Sequence, residues 1–156
     1  EKNNTMTLDL NDPSINEAWT EIRSDDGQTN WMLLGYDEAN SNSKSIKIEL
    51  VGKGTGGYDE FVQQLTEDRA LYGVFKVIAV DDDSRRTKFV FVTFLGPKLP
   101  PLKRARVSTH KTAFAKLFNG FHTEVYATSA DDITQEEIVK KLNSSTGAHK
   151  PKSYEF

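Results

Sequence analysis

Two long apolar runs lie close together near the middle of the chain. The first, residues 71–80, is LYGVFKVIAV, and the second, residues 88–95, is KFVFVTFL. Both carry β-branched and aromatic residues at odd and even positions alike, which is typical of a strand buried on both faces. We therefore predict that these two runs form the middle of a sheet.

The segment between the runs, DDDSRRT at residues 81–87, is polar and rich in turn-forming residues. Such a short polar segment between two strands predicts a β-hairpin. Its tip is expected to carry Arg85, Arg86 and Lys88 into solvent. This tip is the first candidate for a functional site.

The remaining elements follow from the spacing of apolar residues. Helical spacing predicts helices at residues 13–23, 58–65, 101–118 and 134–142. Strand patterns occur at residues 29–36, 45–51 and 123–128. Because strands buried on two sides need helices on both faces, the predicted fold class is α/β of the α+β type, a single-domain mixed sheet sandwiched between helices.

The glycine-rich segment, residues 52–57, does not match a phosphate-binding loop. The pattern G-x-x-x-x-G-K-[ST] is absent, because Lys53 is followed by Gly54. We predict a flexible connector here. At the ends of the chain we expect an N-terminal extension at residues 1–11 and a disordered tail at residues 144–156, on either side of a domain at residues 12–143.

The composition excludes several classes of protein. There is no cysteine among the 156 residues, so disulfides and thiolate metal sites are excluded. No apolar run approaches the roughly 20 residues that span a bilayer. These features predict a soluble protein of the cytoplasm.

Charge is distributed unevenly along the chain. The formal net charge is -3, yet residues 84–123 contain no Asp or Glu and nine bases: Arg85, Arg86, Lys88, Lys98, Lys103, Arg104, Arg106, Lys111 and Lys116. The rest of the chain holds 11 bases (20 − 9) against 23 acids. Clustered positive charge attracts acidic partners even in an acidic molecule. The alternative is an ordinary solvated helix face.

Candidates for chemistry are few. The triplet Asp81, Asp82 and Asp83 lacks the spaced ligands of a calcium loop, and His110 and His122 are expected to be ordinary surface or boundary residues. We predict no catalytic residues, no metal and no cofactor.

If the basic segment binds a partner, nucleic acid is the first alternative to a protein. Phosphates attract Lys and Arg, but the nearby aromatic residues fall on apolar strands or helix stripes: Phe89, Phe91, Phe114 and Phe118. This leaves no exposed platform for stacking bases. We therefore expect a protein partner and no nucleic acid, with anionic phospholipid as a secondary possibility.

Four stretches of the sequence resemble the actin-depolymerising-factor homology (ADF-H) family, and within it the coactosin group. They are IRSDDGQTNWMLLGYD, YDEFVQQLTEDRALYGVFKV, SRRTKFVFVTFLG and LKRARVSTHKT. The most specific features are RTKF at the end of the hairpin and L-x-R-A-[KR] at the start of the long helix. The resemblance spans nearly all of residues 12–143 and implies a sheet of five or six strands, no enzymatic activity and binding to filamentous actin.

The resemblance also implies which residues bind. Lys88 matches the lysine through which coactosins bind filaments, and Arg85 and Arg86 precede it on the hairpin. Arg104 and Arg106 fall where family members place basic contacts on the long helix, with Lys103 and Lys111 in supporting positions. The segment Met6–Asp9 does not match the regulatory serine segment of cofilins, so the expected protein is a monomeric, filament-side binder associated with the cytoskeleton.

Overall fold

The computed structural model describes residues 7–145 and 149–156. The helices within these residues are α1 (Pro13–Arg23), α2 (Gly57–Gln63), α3 (Pro101–Leu117) and α4 (Gln135–Ser145). The strands are β1 (Thr7–Asp9), β2 (Trp31–Tyr36), β3 (Ser45–Gly54), β4 (Ala70–Val80), β5 (Arg85–Leu95), β6 (Thr123–Ala127) and β7 (Ser153–Glu155). Every helix and strand that the sequence predicts is present, and β1 and β7 are additional.

The strands form one mixed sheet in the order β1-β3-β2-β4-β5-β6, and β7 pairs with β4. The two central strands are antiparallel and stay in register over their full length, from Ala70 opposite Leu95 to Val80 opposite Arg85. The pairs β1–β3 and β5–β6 are parallel. The prediction that the two apolar runs form the middle of the sheet is confirmed.

Helices cover both faces of this sheet. Side chains alternate along a strand, so Val74 of β4 packs with α1 and α3, whereas Phe75 packs with α2 and α4. Each face has its own apolar core, and both cores include side chains from β2, β4 and β5. The predicted fold class, a mixed sheet sandwiched between helices, is confirmed.

The hairpin between β4 and β5 has a shorter turn than the sequence suggested. Pairing continues as far as Val80 and Arg85, and the Asp81 N–H donates to the carbonyl oxygen of Ser84 at 2.9 Å. Arg85, Arg86 and Lys88 therefore lie on β5 itself rather than at the tip. Because the pairing of β6 with β5 begins only at Val90, Lys88 is held by a strand partner on the β4 side alone.

The glycine segment is ordered, which differs from the predicted connector. β3 continues to Gly54, which pairs with Trp31 of β2. The Trp31 indole N–H donates to Glu60 Oε1 at 2.6 Å, and a Cβ added at Gly54 would lie 2.0 Å from that oxygen. Glycine at position 54 therefore allows this close packing, and α2 begins at Gly57, whose φ is +67°.

Both predicted terminal segments fall partly outside the described residues, and a short part of each pairs with the sheet. β1 pairs with the start of β3. β7 pairs with residues 78–80 of β4, Pro151 is buried, and the ring of Phe156 packs edge-on against Tyr58 with centroids 5.5 Å apart. The predicted disorder of residues 144–156 is thus replaced by helix up to Ser145 and by strand β7. β4 projects beyond β2 and offers the backbone edge that β7 fills.

Candidate functional site

Lys88 is one of two predicted site residues, with Arg104, that form no ion pair within residues 7–145 and 149–156. It lies two positions before Val90, the β5 residue that pairs with the first residue of β6, Thr123. The Phe89 N–H next to Lys88 donates to Nδ1 of His122 at 3.0 Å. Partial burial of the ring, and then the charge of Lys88, lower the pKa of His122. Lys88 is therefore a fixed cation beside a neutral imidazole.

The two arginines of the hairpin are exposed but paired. Arg85 binds the Glu155 carboxylate with both terminal nitrogens, and Nη1 donates at 2.9 Å. Arg86 donates to Asp81 at 3.3 Å. Both side chains are exposed as predicted. They are also paired, because β7 brings Glu155 to the hairpin and the turn brings Asp81.

The acid triplet of the turn is also engaged. Asp81 accepts from His149 at 3.0 Å and from the Lys152 backbone N–H at 3.2 Å, and Asp82 pairs with the Lys152 ammonium. The hydrogen bond from His149 lowers the pKa of Asp81 more than its other contacts do. The triplet therefore serves to fix the segment before β7.

The bases of α3 contact acids that come from distant parts of the chain. Lys103 and Arg106 both pair with Glu38, which lies in the turn between β2 and β3. The predicted supporting residue Lys111 pairs with Glu124 of β6 at 3.2 Å. The Arg104 guanidinium donates instead to the carbonyl oxygen of Gly96 at 2.9 Å, just before the helix. Residues 84–123 contain no acid, but acids from other parts of the chain pair with most of their bases.

The structure places the hairpin and helix residues at opposite ends of α3. The start of the helix lies at the end of β5, where Arg104 contacts Gly96. Its end leads back to the start of the paired part of β5, where the His122 N–H donates to the carbonyl oxygen of Phe89. A helix of 17 residues is about 25 Å long. The predicted residues therefore form two surfaces rather than one.

Sequence reasoning missed a second source of positive charge near Lys88. α4 packs on the sheet so that Lys140, Lys141 and Ser144 lie around Thr123, and Lys150 lies beside Lys140 and Ser144. Lys140 pairs with Glu137 at 3.5 Å on the same helix. We call the area formed by Lys88, Lys140 and Lys141 the hairpin surface. Two consecutive lysines near the end of a predicted helix were visible in the sequence, but their proximity to Lys88 depends on topology.

The second surface is the outward face of α3. Its inward face carries Val107, His110, Phe114 and Phe118, all buried, which agrees with the predicted apolar stripe. The outward face is exposed, its first half is uncharged at Leu102, Ala105 and Thr109, and Leu102 is 88% exposed. We call the area formed by Leu102, Ala105 and Thr109, with Lys103 and Arg106 beside it, the helix surface.

His110 is not an ordinary boundary residue. Its side chain is only 9% exposed, and its Nδ1 lies 2.9 Å from the hydroxyl of Tyr36, which in turn lies 2.8 Å from the hydroxyl of Tyr72. Burial raises the pKa of both tyrosines, so both remain protonated. The chain of bonds is complete only if Tyr72 donates to Tyr36 and Tyr36 donates to an unprotonated Nδ1. A proton on Nδ1 would reverse the chain and leave the fully buried Tyr72 hydroxyl proton without an acceptor in it.

Protonation of His110 should therefore destabilise the fold. Burial, and then the charge of Arg106, lower the pKa of His110 below its ordinary value of 6.5. The unfolded chain then binds a proton that the folded chain does not, so this stabilisation is present above about pH 6.5 and falls as the pH drops toward the folded pKa. We expect the free energy of unfolding of the wild type, minus that of His110→Gln, to decrease between about pH 7.5 and 5. A constant difference in chemical denaturation would contradict the assignment, and His122 cancels because it titrates in both proteins.

The fold is that of a known class of protein. A family model described as cofilin/tropomyosin-type actin-binding protein matches residues 7–143, and the chain belongs to this family. Among its relatives is coactosin of Dictyostelium discoideum, to which the chain is 36% identical over 141 residues, covering 90% of this chain and 92% of that protein. The resemblance to the ADF-H family and to its coactosin group is confirmed.

Solved structures show the same fold. The crystal structure of coactosin from Entamoeba histolytica matches with a TM-score of 0.78 and 28% identity, covering 92% of this chain and 98% of that chain. The crystal structure of cofilin from Streptomyces griseoflavus matches with a TM-score of 0.70 over 88% of this chain and 99% of that chain. At 16% identity, the second match concerns the fold alone.

Proposed function

We propose that this protein binds the sides of actin filaments without catalysis, as a monomer associated with the cytoskeleton in the cytoplasm. The hairpin surface and the helix surface supply the contacts. The observation that carries this proposal is that the two surfaces are separate: the helix surface lies on the first half of α3, whereas Lys88 lies beside the part of β5 to which the end of α3 leads back. Family membership supplies actin as the partner.

Two separated surfaces favour a filament over a monomer. A filament repeats the same subunit at short intervals, so one bound molecule can contact two neighbouring subunits. The second contact is then effectively intramolecular, and the combined affinity exceeds that of either surface alone.

The ion pairs seen on these surfaces do not prevent binding. The bases Arg85, Arg86, Lys103 and Lys111 are each at least about one third exposed, and so are their partners except Asp81, which is 19% exposed. Exposed ion pairs contribute roughly 0 to 1 kcal/mol each, because water and salt screen them. A partner's carboxylates can therefore replace the internal ones at little cost.

Nucleic acid is a weaker candidate for the hairpin surface. An exposed aromatic residue of the sheet, Tyr126, lies on β6 between Val125 and Ala127, which face α4. By alternation, Tyr126 faces the α3 side of the sheet, whereas the lysines of α4 lie on the other side. Stacking and phosphate contacts would therefore fall on opposite faces. Anionic phospholipid remains a second candidate, because Lys140, Lys141 and Lys150 cluster around one groove region.

Salt dependence tests the proposal. Exposed charges attract over a screening length of about 8 Å at physiological salt, so the amount of protein that co-sediments with actin filaments should fall steadily between low salt and about 0.3 M. Excess duplex DNA should not displace the protein at physiological salt. Co-sedimentation that is unchanged across this range would contradict the electrostatic surfaces. Vesicles of anionic phospholipid that displace the protein from filaments would instead favour the second candidate.

A further inference from the structure

Glu38 is an acid that neutralises two bases of the helix surface at once. Its carboxylate pairs with Lys103 at 3.3 Å and with the Arg106 guanidinium. Burial alone would raise the pKa of Glu38, but the bonds and charges of Arg106 and Lys103 hold it below its usual value. The carboxylate is therefore charged, and it occupies the bases that an acidic partner would need.

The turn that carries Glu38 is held in place by its own hydrogen bonds. Asp37 caps a short 3-10 turn at residues 38–40 by accepting from the backbone and side-chain amides of Asn40. The Ser41 hydroxyl donates to the Asp37 carbonyl oxygen and accepts from the Lys47 N–H of β3 at 2.8 Å. These hydrogen bonds fix the turn, and the turn positions the Glu38 carboxylate next to α3.

Arg106 has supports that do not depend on Glu38. Its guanidinium lies 3.9 Å above the centre of the Tyr36 ring, and the Tyr36 hydroxyl is anchored to Tyr72 and His110. Its Nε is buried and has no partner among the described residues. If the Glu38 carboxylate left, Arg106 would keep its position and would offer an uncompensated donor.

A cavity lies between this turn and the start of α3. It has a volume of about 110 Å³, and Glu38, Arg69, Lys103 and Arg106 are among the residues that line it. One water molecule takes roughly 30 Å³ of liquid volume, so a carboxylate head group fits. The lining holds three cations and two acids, Glu38 and Asp68, and Arg69 also lies 3.7 Å from Glu49. If Glu38 moved away, Lys103 and Arg106 would favour an anionic group, with the planar guanidinium suited to a carboxylate.

We propose that this cavity binds a carboxylate side chain of the actin filament, and that in the free protein Glu38 occupies the site in its place. Glu38 is then an internal competitor that lowers filament affinity. This inference rests on the proposed function and adds the chemistry and the regulation of its helix surface. Any change that moves the turn at residues 38–40 away from α3 should strengthen binding.

The substitution Glu38→Gln tests the inference, because it removes the competing charge and keeps the shape of the side chain. We expect it to tighten filament binding by about three- to tenfold in co-sedimentation titrations, since an exposed carboxylate no longer has to be displaced. Glu21→Gln is the matched control. Its carboxylate is 40% exposed against 46% for Glu38, and it also pairs with a lysine, Lys53, at 2.7 Å. This control should change affinity less than twofold.

The double variant Glu38→Gln/Arg106→Gln should bind no more tightly than Arg106→Gln alone, because the gain requires the released guanidinium. The melting temperatures of Glu38→Gln and Glu21→Gln should stay within about 4 °C of the wild type. A Glu38→Gln variant that binds no more tightly than Glu21→Gln, or that binds more weakly than the wild type, would overturn the inference and leave the proposed function standing. Absence of filament binding by the wild type would overturn both.

Discussion

The variant Phe91→Ala should lose about 3 to 5 kcal/mol of unfolding free energy. Phe91 lies near the middle of β5 and is fully buried. Its ring packs against Phe118 and Phe121, with centroids 5.6 and 5.2 Å away. These two residues lie at the end of α3 and just beyond it, so they cannot follow the missing ring without moving the helix. The resulting cavity would therefore stay partly open.

Chemical denaturation measures this loss, and Tyr126→Ala is its control. Tyr126 lies on the adjacent strand β6 and is 53% exposed. Its truncation removes an aromatic ring of similar size but leaves no closed cavity, so we expect a change of about 1 kcal/mol or less. Equal effects of the two substitutions would mean that Phe91 does not lie in a closely packed core between β5 and α3.

The second large effect is expected at the hairpin surface. Reversing the charge of Lys88 with Lys88→Glu should weaken filament binding by roughly a hundredfold. Removing a contact at the centre of an interface costs about 1 to 3 kcal/mol, and a carboxylate facing an acidic partner adds repulsion. A total near 3 kcal/mol corresponds to roughly a hundredfold change in affinity.

The fold should tolerate this change. Lys88 is half-buried on a strand end and has no ion pair within the described part of the chain, so its substitution should change the unfolding free energy by less than about 1 kcal/mol. Lys44→Glu is the matched control for binding. Lys44 is an exposed lysine next to β1 at the opposite edge of the sheet, and the same change of charge there should alter filament affinity less than threefold.

Sequence patterns predicted the long elements because each element carries its own signal. Asp12 and Pro13 predict the start of α1, and the helix begins at Pro13. The Asp12 side chain accepts a hydrogen bond from the backbone N–H of Ser14. The doubly apolar runs could only be central strands. By contrast, β1 and β7 have three residues each and no periodicity of their own. They form because β3 and β4 leave backbone edges open, and an edge of this kind is visible only in the assembled sheet.

The candidate site was less predictable, because its bases pair with acids that are close in the fold but distant in the sequence. Glu38 and Glu155 are 68 and 70 residues away from Arg106 and Arg85, the arginines that they bind. No local pattern connects such residues. The same reason explains why Lys140 and Lys141 were missed. They belong to the site because α4 runs back along the sheet toward Thr123, whereas the sequence places them more than 50 residues after Lys88.

Co-sedimentation of the wild type and of Lys88→Glu with actin filaments, side by side at low salt, is the most direct test of the central claim. The proposed function predicts that the wild type binds filaments to saturation, that Lys88→Glu requires roughly a hundredfold more filament for the same bound fraction, and that both melt at similar temperatures. A folded Lys88→Glu protein that co-sediments as well as the wild type would contradict the assignment of the hairpin surface as the filament contact.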